Sequence, residues 1–217
     1  SIDPTVLDPP TWWYVPGVTP SIYNSDPESL DAFKTTDKRT LALKPGKYKF
    51  ISRYHSYHGG TFGGMSASGT GARKSKFEPQ MGGFLKVLPP TAYRDRFPTW
   101  EEANRFAARC FEDVIVNEDP ETIAGIIVEP IGNTGGIITP TDEYFQILRA
   151  ICDRYNVILI YDEVITGFGK TGKMFAAQTF GTAPDIICSG KGLSSGAVPL
   201  GVMIAREDMA GAFQGSQ

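Results

Sequence analysis

The feature that most constrains the fold is an apolar run ending in acids, Val157-Ile-Leu-Ile-Tyr-Asp162-Glu163-Val164. Runs of β-branched and aromatic residues are typical of buried strands, and parallel strands of α/β sheets carry functional groups at their carboxyl ends. Because side chains alternate along a strand, Asp162 and Val164 should face one side and Glu163 the other if the extended conformation lasts that far. The pattern predicts one carboxylate and one small apolar side chain directed at a single ligand.

A lysine follows a second apolar run, Asp185-Ile-Ile-Cys-Ser189. Lys191 lies between two glycines, which predicts a tight turn beside another strand end. A lysine amine in a partly desolvated site can form a Schiff base with an aldehyde. An acid facing the ring nitrogen of pyridoxal phosphate keeps that nitrogen protonated, so the ring accepts electrons. Asp162 and Lys191 together suit this cofactor, although a surface lysine in a glycine turn is the commoner structure.

Strand and helix patterns alternate along the chain, which predicts an α/β domain with a mostly parallel sheet and flanking helices. The expected strand ends carrying Glu129, Asp162 and Ser189 should lie along one edge of this sheet. Thr99-Trp-Glu-Glu102 is a capping box, and Thr139-Pro140 predicts a second helix start with Thr139 as the cap. Further strands are expected at Tyr48–Arg53, Ile123–Val128, Asp185–Cys188 and Leu200–Ala205.

Two stretches lack a clear pattern. Residues 1–46 are rich in Pro, Asp, Ser and Thr, which predicts irregular structure with one short helix near Glu28–Lys38. Residues 65–98 form a long, weakly patterned excursion containing Arg73, Lys74 and Lys76. Long connections of this kind often act as lids or subunit contacts.

Composition excludes several classes of function. The net charge of −3 gives no basic footprint for nucleic acid. No apolar run approaches the length of a membrane span, and we find no signal peptide, so a cytoplasmic location is expected. The three cysteines are scattered and favour buried free thiols, and His55 and His58 offer little for a zinc site. We therefore expect no metal, no nucleic acid and no membrane partner.

Two glycine-rich segments need separate interpretation. Gly167-Phe-Gly-Lys-Thr-Gly172 fits the dinucleotide fingerprint, but five residues separate it from the strand and no convincing helix follows, so a nucleotide-dependent dehydrogenase is the weakest hypothesis. Residues 54–64 combine four glycines with ring-bearing side chains, including Tyr57 and His58. Such a loop allows close backbone approach and stacking on a flat ligand, although a simple glycine-rich connector has the same composition.

The longer motif resembles a known family. The segments Val128-Glu129-Pro130, Tyr161-Asp162-Glu163-Val164-Ile-Thr-Gly167-Phe-Gly, Ala183-Pro-Asp185 and Ser189-Gly-Lys191-Gly closely resemble those of class III, or omega-type, aminotransferases. Tyr57-His58-Gly59-Gly60-Thr61 matches the Tyr-His-Gly loop of that family, and the similarity covers about Lys47 to Phe213. The resemblance implies the large domain of a fold type I enzyme that depends on pyridoxal 5′-phosphate and is a homodimer in its complete form.

The resemblance also implies residue roles. Lys191 would hold the cofactor as a Schiff base and shuttle the proton, and Asp162 would pair with the pyridinium nitrogen. Val164 would pack on one ring face and Tyr57 on the other, with His58 beside it, and Glu129 would lie near the ring edge and substrate entrance. The implied reaction transfers an amino group from an amine or ω-amino acid to a 2-oxo acid.

The chain also departs from the family. Asn24-Ser25-Asp26-Pro27 stands near where the family carries Asn-Ser-Gly-Ser-Glu-Ala for the cofactor phosphate. Residues 47–217 are therefore interpreted as a large domain that stops before the C-terminal small domain, following an unusual segment 1–46. An aminomutase or racemase of the same family and a non-catalytic protein that keeps the fold are the alternatives.

Overall fold

The computed structural model describes residues 46–91 and 96–213, without the side chains of 212 and 213. Within these ranges six strands form one sheet in the order β2-β1-β3-β4-β5-β6, parallel except for β6, which runs antiparallel to β5. The strands are β1 Lys49–Arg53, β2 Phe84–Val87, β3 Ile123–Val128, β4 Ile158–Asp162, β5 Ile186–Ser189 and β6 Val202–Ala205. The mostly parallel α/β sheet expected from the sequence is confirmed.

Five α-helices flank the sheet or connect its strands in the described ranges. They are α1 Phe62–Ala67, α2 Gly71–Lys74, α3 Trp100–Asn117, α4 Asp142–Tyr155 and α5 Ala176–Phe180. Short 3₁₀ turns lie at Ser75–Phe77, Pro120–Thr122, Lys191–Leu193 and Glu207–Phe213. None of the helices in these ranges is long and apolar enough to span a bilayer.

The main core lies between the sheet and helices α3, α4 and α5. Phe111 of α3 and Phe145 of α4 are fully buried against strand residues such as Ile126 and Leu159. The ring of Phe145 lies 4.5 Å from that of Phe180, so α5 joins the same cluster. Full burial of each such side chain contributes about 1.5–3 kcal/mol. This layer holds the strand ends in fixed positions.

Three expectations about local structure have clear outcomes. Thr99 caps α3 by accepting a hydrogen bond from the Glu102 amide at 3.2 Å, as predicted, but the described contacts of this helix start lack the return bond from the Thr99 amide to the Glu102 side chain that completes a capping box. The prediction of Thr139 as the second cap was wrong, since Thr141 caps α4 by accepting a hydrogen bond from the Tyr144 amide. Pro140 stays ahead of the helix, and the Thr141 amide donates to the Asn104 side chain. The helix predicted near residues 28–38 lies outside the described residues.

The excursion at residues 65–98 contains an edge strand that the sequence pattern did not show. Phe84 to Val87 pair in parallel with Phe50 to Arg53 of β1. Four residues are too few to establish alternation, and glycines and prolines on either side give the segment the composition of a loop. The weak pattern of residues 65–98 therefore failed to predict β2.

Candidate functional site

Three neighbouring parallel strands bring the predicted site residues to one edge of the sheet. Strand β3 is followed at once by Glu129, β4 ends at Asp162, and β5 ends at Ser189. Asp162 lies opposite Cys188 in the register of β4 and β5. The predicted alignment of these three strand ends is confirmed.

The Asp162 carboxylate is buried and held from two sides. Its Oδ2 atom lies 2.8 Å from Nδ1 of His58, and its Oδ1 accepts a hydrogen bond from the Val164 amide at 3.1 Å. The side chains of His58 and Asp162 are 1% and 9% exposed. The buried Nε2 atom of His58 has no hydrogen-bond partner in the described structure. The two hydrogen bonds therefore fix the orientation of the Asp162 carboxylate, and the Nε2 atom of His58 remains able to bond to a further polar group.

Glu163 points to the opposite side, as the strand alternation predicted. Its carboxylate accepts hydrogen bonds from the Ala176 and Ala177 amides at 2.7 and 2.9 Å and from the Thr166 hydroxyl at 3.0 Å. Burial raises the pKa of this carboxyl, although the hydrogen bonds to the two amides oppose the shift. Glu163 therefore holds α5 in place, and Asp162 alone of the pair faces the site.

Lys191 lies on a tight turn directly after β5. Its φ of 43° is in the left-handed region, which is strained for a lysine. Gly190 precedes it, and a Cβ added there would lie 4.0 Å from Cγ1 of Val164 and 3.4 Å from the Leu200 carbonyl oxygen. The Lys191 side chain is exposed and makes no hydrogen bond or ion pair with another described residue. The turn that carries Lys191 thus lies next to Val164.

The Tyr57 loop is fastened to the end of β3. The Tyr57 amide donates to Oε1 of Glu129 at 2.9 Å, and the His58 amide donates to the Ser68 hydroxyl at 2.8 Å. The guanidinium carbon of Arg73 lies 5.0 Å from the centre of the Tyr57 ring, within the range of a cation–π contact. The loop that carries Tyr57 and His58 is therefore anchored through its backbone.

Cys188 adds an inert thiol beside the site. It is partly buried, and desolvation together with the negative charge of Asp162 raises the pKa of its thiol to about 11. A thiol that stays protonated near neutral pH is a poor nucleophile. Cys188 is therefore a neighbour of the carboxylate and not a second reactive group.

Sequence reasoning found the residues at the strand ends but missed two that support them. Arg53 donates through Nη2 to the carbonyl oxygen of Glu129, and the Asn133 amide donates to Oε2 of the same residue at 3.2 Å. For Arg53, the signal available in the sequence was an arginine at the end of a predicted strand. Nothing local to Asn133 marks its amide as a donor. The structure brings Tyr57, His58, Glu129, Asp162 and Val164 together at one edge, with Lys191 on the adjoining turn.

Comparisons with known proteins agree on one family. The model of the class-III aminotransferases matches residues 28–217. An uncharacterized aminotransferase of Bacillus subtilis is 45% identical over 171 residues, covering 78% of this chain and 37% of that protein. An omega-aminotransferase of Caulobacter vibrioides is 38% identical over 192 residues, covering 84% of this chain and 42% of that protein.

A solved structure gives the same result for the fold. The amine transaminase of an uncultivated Pseudomonas species, in its pyridoxal phosphate-bound form, superposes with a TM-score of 0.73 at 34% identity, covering 80% of this chain and 39% of that one. The chain spans about two fifths of the length of the relatives it matches.

Proposed function

Because the chain belongs to the class-III aminotransferase family, we propose that it is the cofactor-binding part of an aminotransferase dependent on pyridoxal 5′-phosphate. The proposed reaction moves an amino group from an amine or ω-amino acid to a 2-oxo acid. The observation that carries the proposal is the buried Asp162 carboxylate, held by His58 at 2.8 Å on the strand next to the one that leads to Lys191. This pair of groups is what the ring nitrogen and the aldehyde of the cofactor require.

The residues present fit the cofactor. Pyridoxal phosphate, when bound, supplies an aldehyde for a lysine amine and a ring that accepts electrons. Asp162 has a histidine but no described lysine or arginine partner, so its negative charge is available to hold a proton at the ring nitrogen. The Nε2 atom of His58, buried without a described protein partner, is a second polar group that a ligand or water would satisfy.

The remaining residues have positioning roles in this proposal. Val164 would pack on one face of the ring, and Tyr57 would stack on the other with His58 beside it. The amine of Lys191 would hold the cofactor and would then move the proton at the substrate Cα. Glu129 completes the rim between the ends of β3 and the Tyr57 loop, near the ring edge.

The proposed partners are small molecules and a second copy of the chain. The relative from Caulobacter vibrioides is named an omega-aminotransferase, which supports an amine or ω-amino acid as the donor. The homodimer and the cytoplasmic location remain predictions from the sequence, together with the expected lack of nucleic-acid and membrane partners.

The proposal is tested by trapping the cofactor. The purified chain is mixed with pyridoxal phosphate, its visible spectrum is recorded, and borohydride reduction is followed by peptide mapping. We expect a long-wavelength band and a label on Lys191, lost in Lys191→Ala and kept in Lys173→Ala, a matched change at another exposed lysine. A label spread over several lysines, with no band, would contradict the cofactor assignment.

A second measurement separates transfer from the mutase and racemase alternatives. The cofactor-loaded protein is given an amine donor with and without a 2-oxo acid. An aminotransferase needs the acceptor for repeated turnover, whereas an aminomutase or racemase turns over without it. Turnover that is independent of the acceptor would overturn the transferase assignment but leave the cofactor assignment intact.

A further inference from the structure

Glu129 uses both carboxylate oxygens on backbone amides from two different loops. Its Oε1 accepts from the Tyr57 amide at 2.9 Å, and its Oε2 accepts from the Asn133 amide at 3.2 Å. Tyr57 follows β1 in the chain and Asn133 follows β3. The residue is only 5% exposed, so these charge-assisted bonds are shielded from water.

Arg53 holds the backbone of the same residue. It is 2% exposed, and its Nη2 atom donates to the carbonyl oxygen of Glu129. The carbonyl of Arg53 accepts from the Ser56 hydroxyl at 2.6 Å, and a Cβ at Gly69 would lie 2.0 Å from that carbonyl oxygen. The position of Arg53 is therefore restricted by the hydrogen bond of its side chain and by the close packing around its carbonyl oxygen.

The two loops also contact each other directly. Gly132 and Ile138 exchange backbone hydrogen bonds of 2.8 and 2.7 Å, which close the loop at residues 132–138. A Cβ added at Gly135 would lie 2.9 Å from the carbonyl oxygen of His55, so this loop rests on the one that carries Tyr57. Glu129 is bonded to both loops at the line where they meet.

We propose that Glu129 and Arg53 are positioning residues that lock these two loops together and so fix the Tyr57 ring at the edge of the site. A carboxylate whose two oxygens are both engaged by amides serves as a fixed acceptor and not as the acid or base of the reaction. The inference rests on the proposed function only for the contact between Tyr57 and the cofactor. It changes the expected role of Glu129 from contacting the ligand to holding what contacts it.

The chain offers a matched control for this role. Glu163 is also a buried carboxylate that accepts two backbone amide bonds, from Ala176 and Ala177, but it faces away from the site. Glu129→Gln and Glu163→Gln each replace an acceptor oxygen by an amide donor facing a backbone N–H. Both variants lose a pair of backbone amide bonds, and they differ in location and in the further bond that Glu163 accepts from the Thr166 hydroxyl.

The first test is hydrogen exchange on the protein without added cofactor. In Glu129→Gln we expect exchange at the Tyr57 and Asn133 amides to rise about tenfold, because each loses a charge-assisted bond. In Glu163→Gln the rise should fall on Ala176 and Ala177 instead. Unchanged exchange at Tyr57 and Asn133 in Glu129→Gln would overturn the proposal. Arg53→Lys leaves the carboxylate in place and should raise exchange at the same two amides by a smaller factor. If Glu129→Gln does not fold, the exchange measured in Arg53→Lys decides whether the proposal stands.

The second test couples the lock to the cofactor. We expect the dissociation constant for pyridoxal phosphate to rise about tenfold in Glu129→Gln and to stay unchanged in Glu163→Gln. Equal affinities in the two variants would refute the coupling. If the unmodified chain binds no pyridoxal phosphate while the exchange pattern appears, the proposed function fails and the loop lock stands.

Discussion

Two aspartates on neighbouring strands show how differently the two ends of the sheet are built. Asp185, just before β5, is 2% exposed, and its carboxylate accepts hydrogen bonds from Arg149 at 2.9 Å, Arg206 at 3.1 Å and the Leu159 amide at 2.8 Å. Asp162, at the end of β4, is 8% exposed and has one histidine and one amide. The first carboxylate is compensated by two guanidinium groups within the chain, whereas the second has no arginine or lysine partner among the described residues.

The difference separates residues that stabilise the fold from residues that are proposed to bind a ligand. The Asp185 cluster joins α4, β4 and the end of β6, and the neighbouring carboxylates help to raise the pKa of Arg149 although burial opposes this. A buried ion cluster of this kind costs much when one member is removed. Asp162 lies at the edge where parallel strands place binding groups. Substitution of Asp185 should therefore lower the free energy of unfolding, whereas substitution of Asp162 should lower turnover.

The largest expected effect is at the turn after β5. Lys191→Ala should abolish covalent attachment of pyridoxal phosphate and amino-group transfer, because no other amine occupies that turn. The lysine is exposed and lacks described polar partners, so the thermal unfolding midpoint of the protein without cofactor should stay the same. Activity and calorimetry on one preparation check both parts. A large loss of stability would place Lys191 among the structural residues.

At the opposite end we expect a loss of stability. Asp185→Ala leaves Arg149 and Arg206 buried without their shared acceptor, which should cost about 3–5 kcal/mol in the free energy of unfolding. Urea denaturation measures this cost. The fraction that remains folded should bind pyridoxal phosphate with the affinity of the unmodified protein. A weakened affinity in that fraction would show that the two ends are coupled.

Asp162→Asn is the counterpart with a smaller expected effect. The amide keeps the shape but removes the charge that, in the proposed function, stabilises a proton on the cofactor ring, so turnover should fall about 10²–10³-fold. The unfolding free energy should change far less than in Asp185→Ala. Steady-state rates and urea denaturation provide the comparison, and equal stability losses at the two positions would remove the distinction between the ends.

The smallest effect concerns a lysine with no carboxylate partner among the described residues. Lys86 donates to the Ser66 carbonyl at 2.8 Å, and burial, helped by the charge of Lys74, lowers its pKa to about 8 from the usual 10.5. The unfolded chain therefore binds more protons between these values, so stability should rise as the pH increases from about 8 to about 10.5. Lys86→Met should flatten that part of the stability profile measured by urea denaturation. A profile unchanged by the substitution would exclude Lys86 as its source.

Much of the sheet edge could be predicted because its signals are local. The apolar run before Asp162 fixes a strand, and period two then directs Glu163 away from the site, as its bonds to Ala176 and Ala177 confirm. The run before Glu129 likewise predicted β3 with its observed bounds, Ile123–Val128. These inferences need only neighbouring residues in the sequence.

What could not be predicted depends on residues far apart in the chain. The contact between His58 and Asp162 joins positions 104 residues apart, and that between Arg53 and Glu129 joins positions 76 apart. No local pattern records such pairs, and the resemblance placed His58 only beside the cofactor. Strand β2 was missed for another reason, since an edge strand of four residues is defined mainly by its pairing with β1.

The thiol chemistry of the chain has a practical consequence. Cys188 has a thiol pKa of about 11, burial also raises that of Cys110, and Cys152 is fully buried. Maleimide dyes react with thiolates, so at neutral pH these three positions should label slowly. A cysteine introduced at Ile137, which is 63% exposed, would then take a fluorophore selectively. Such a dye would report motion of the 132–138 loop in solution without removing any native cysteine.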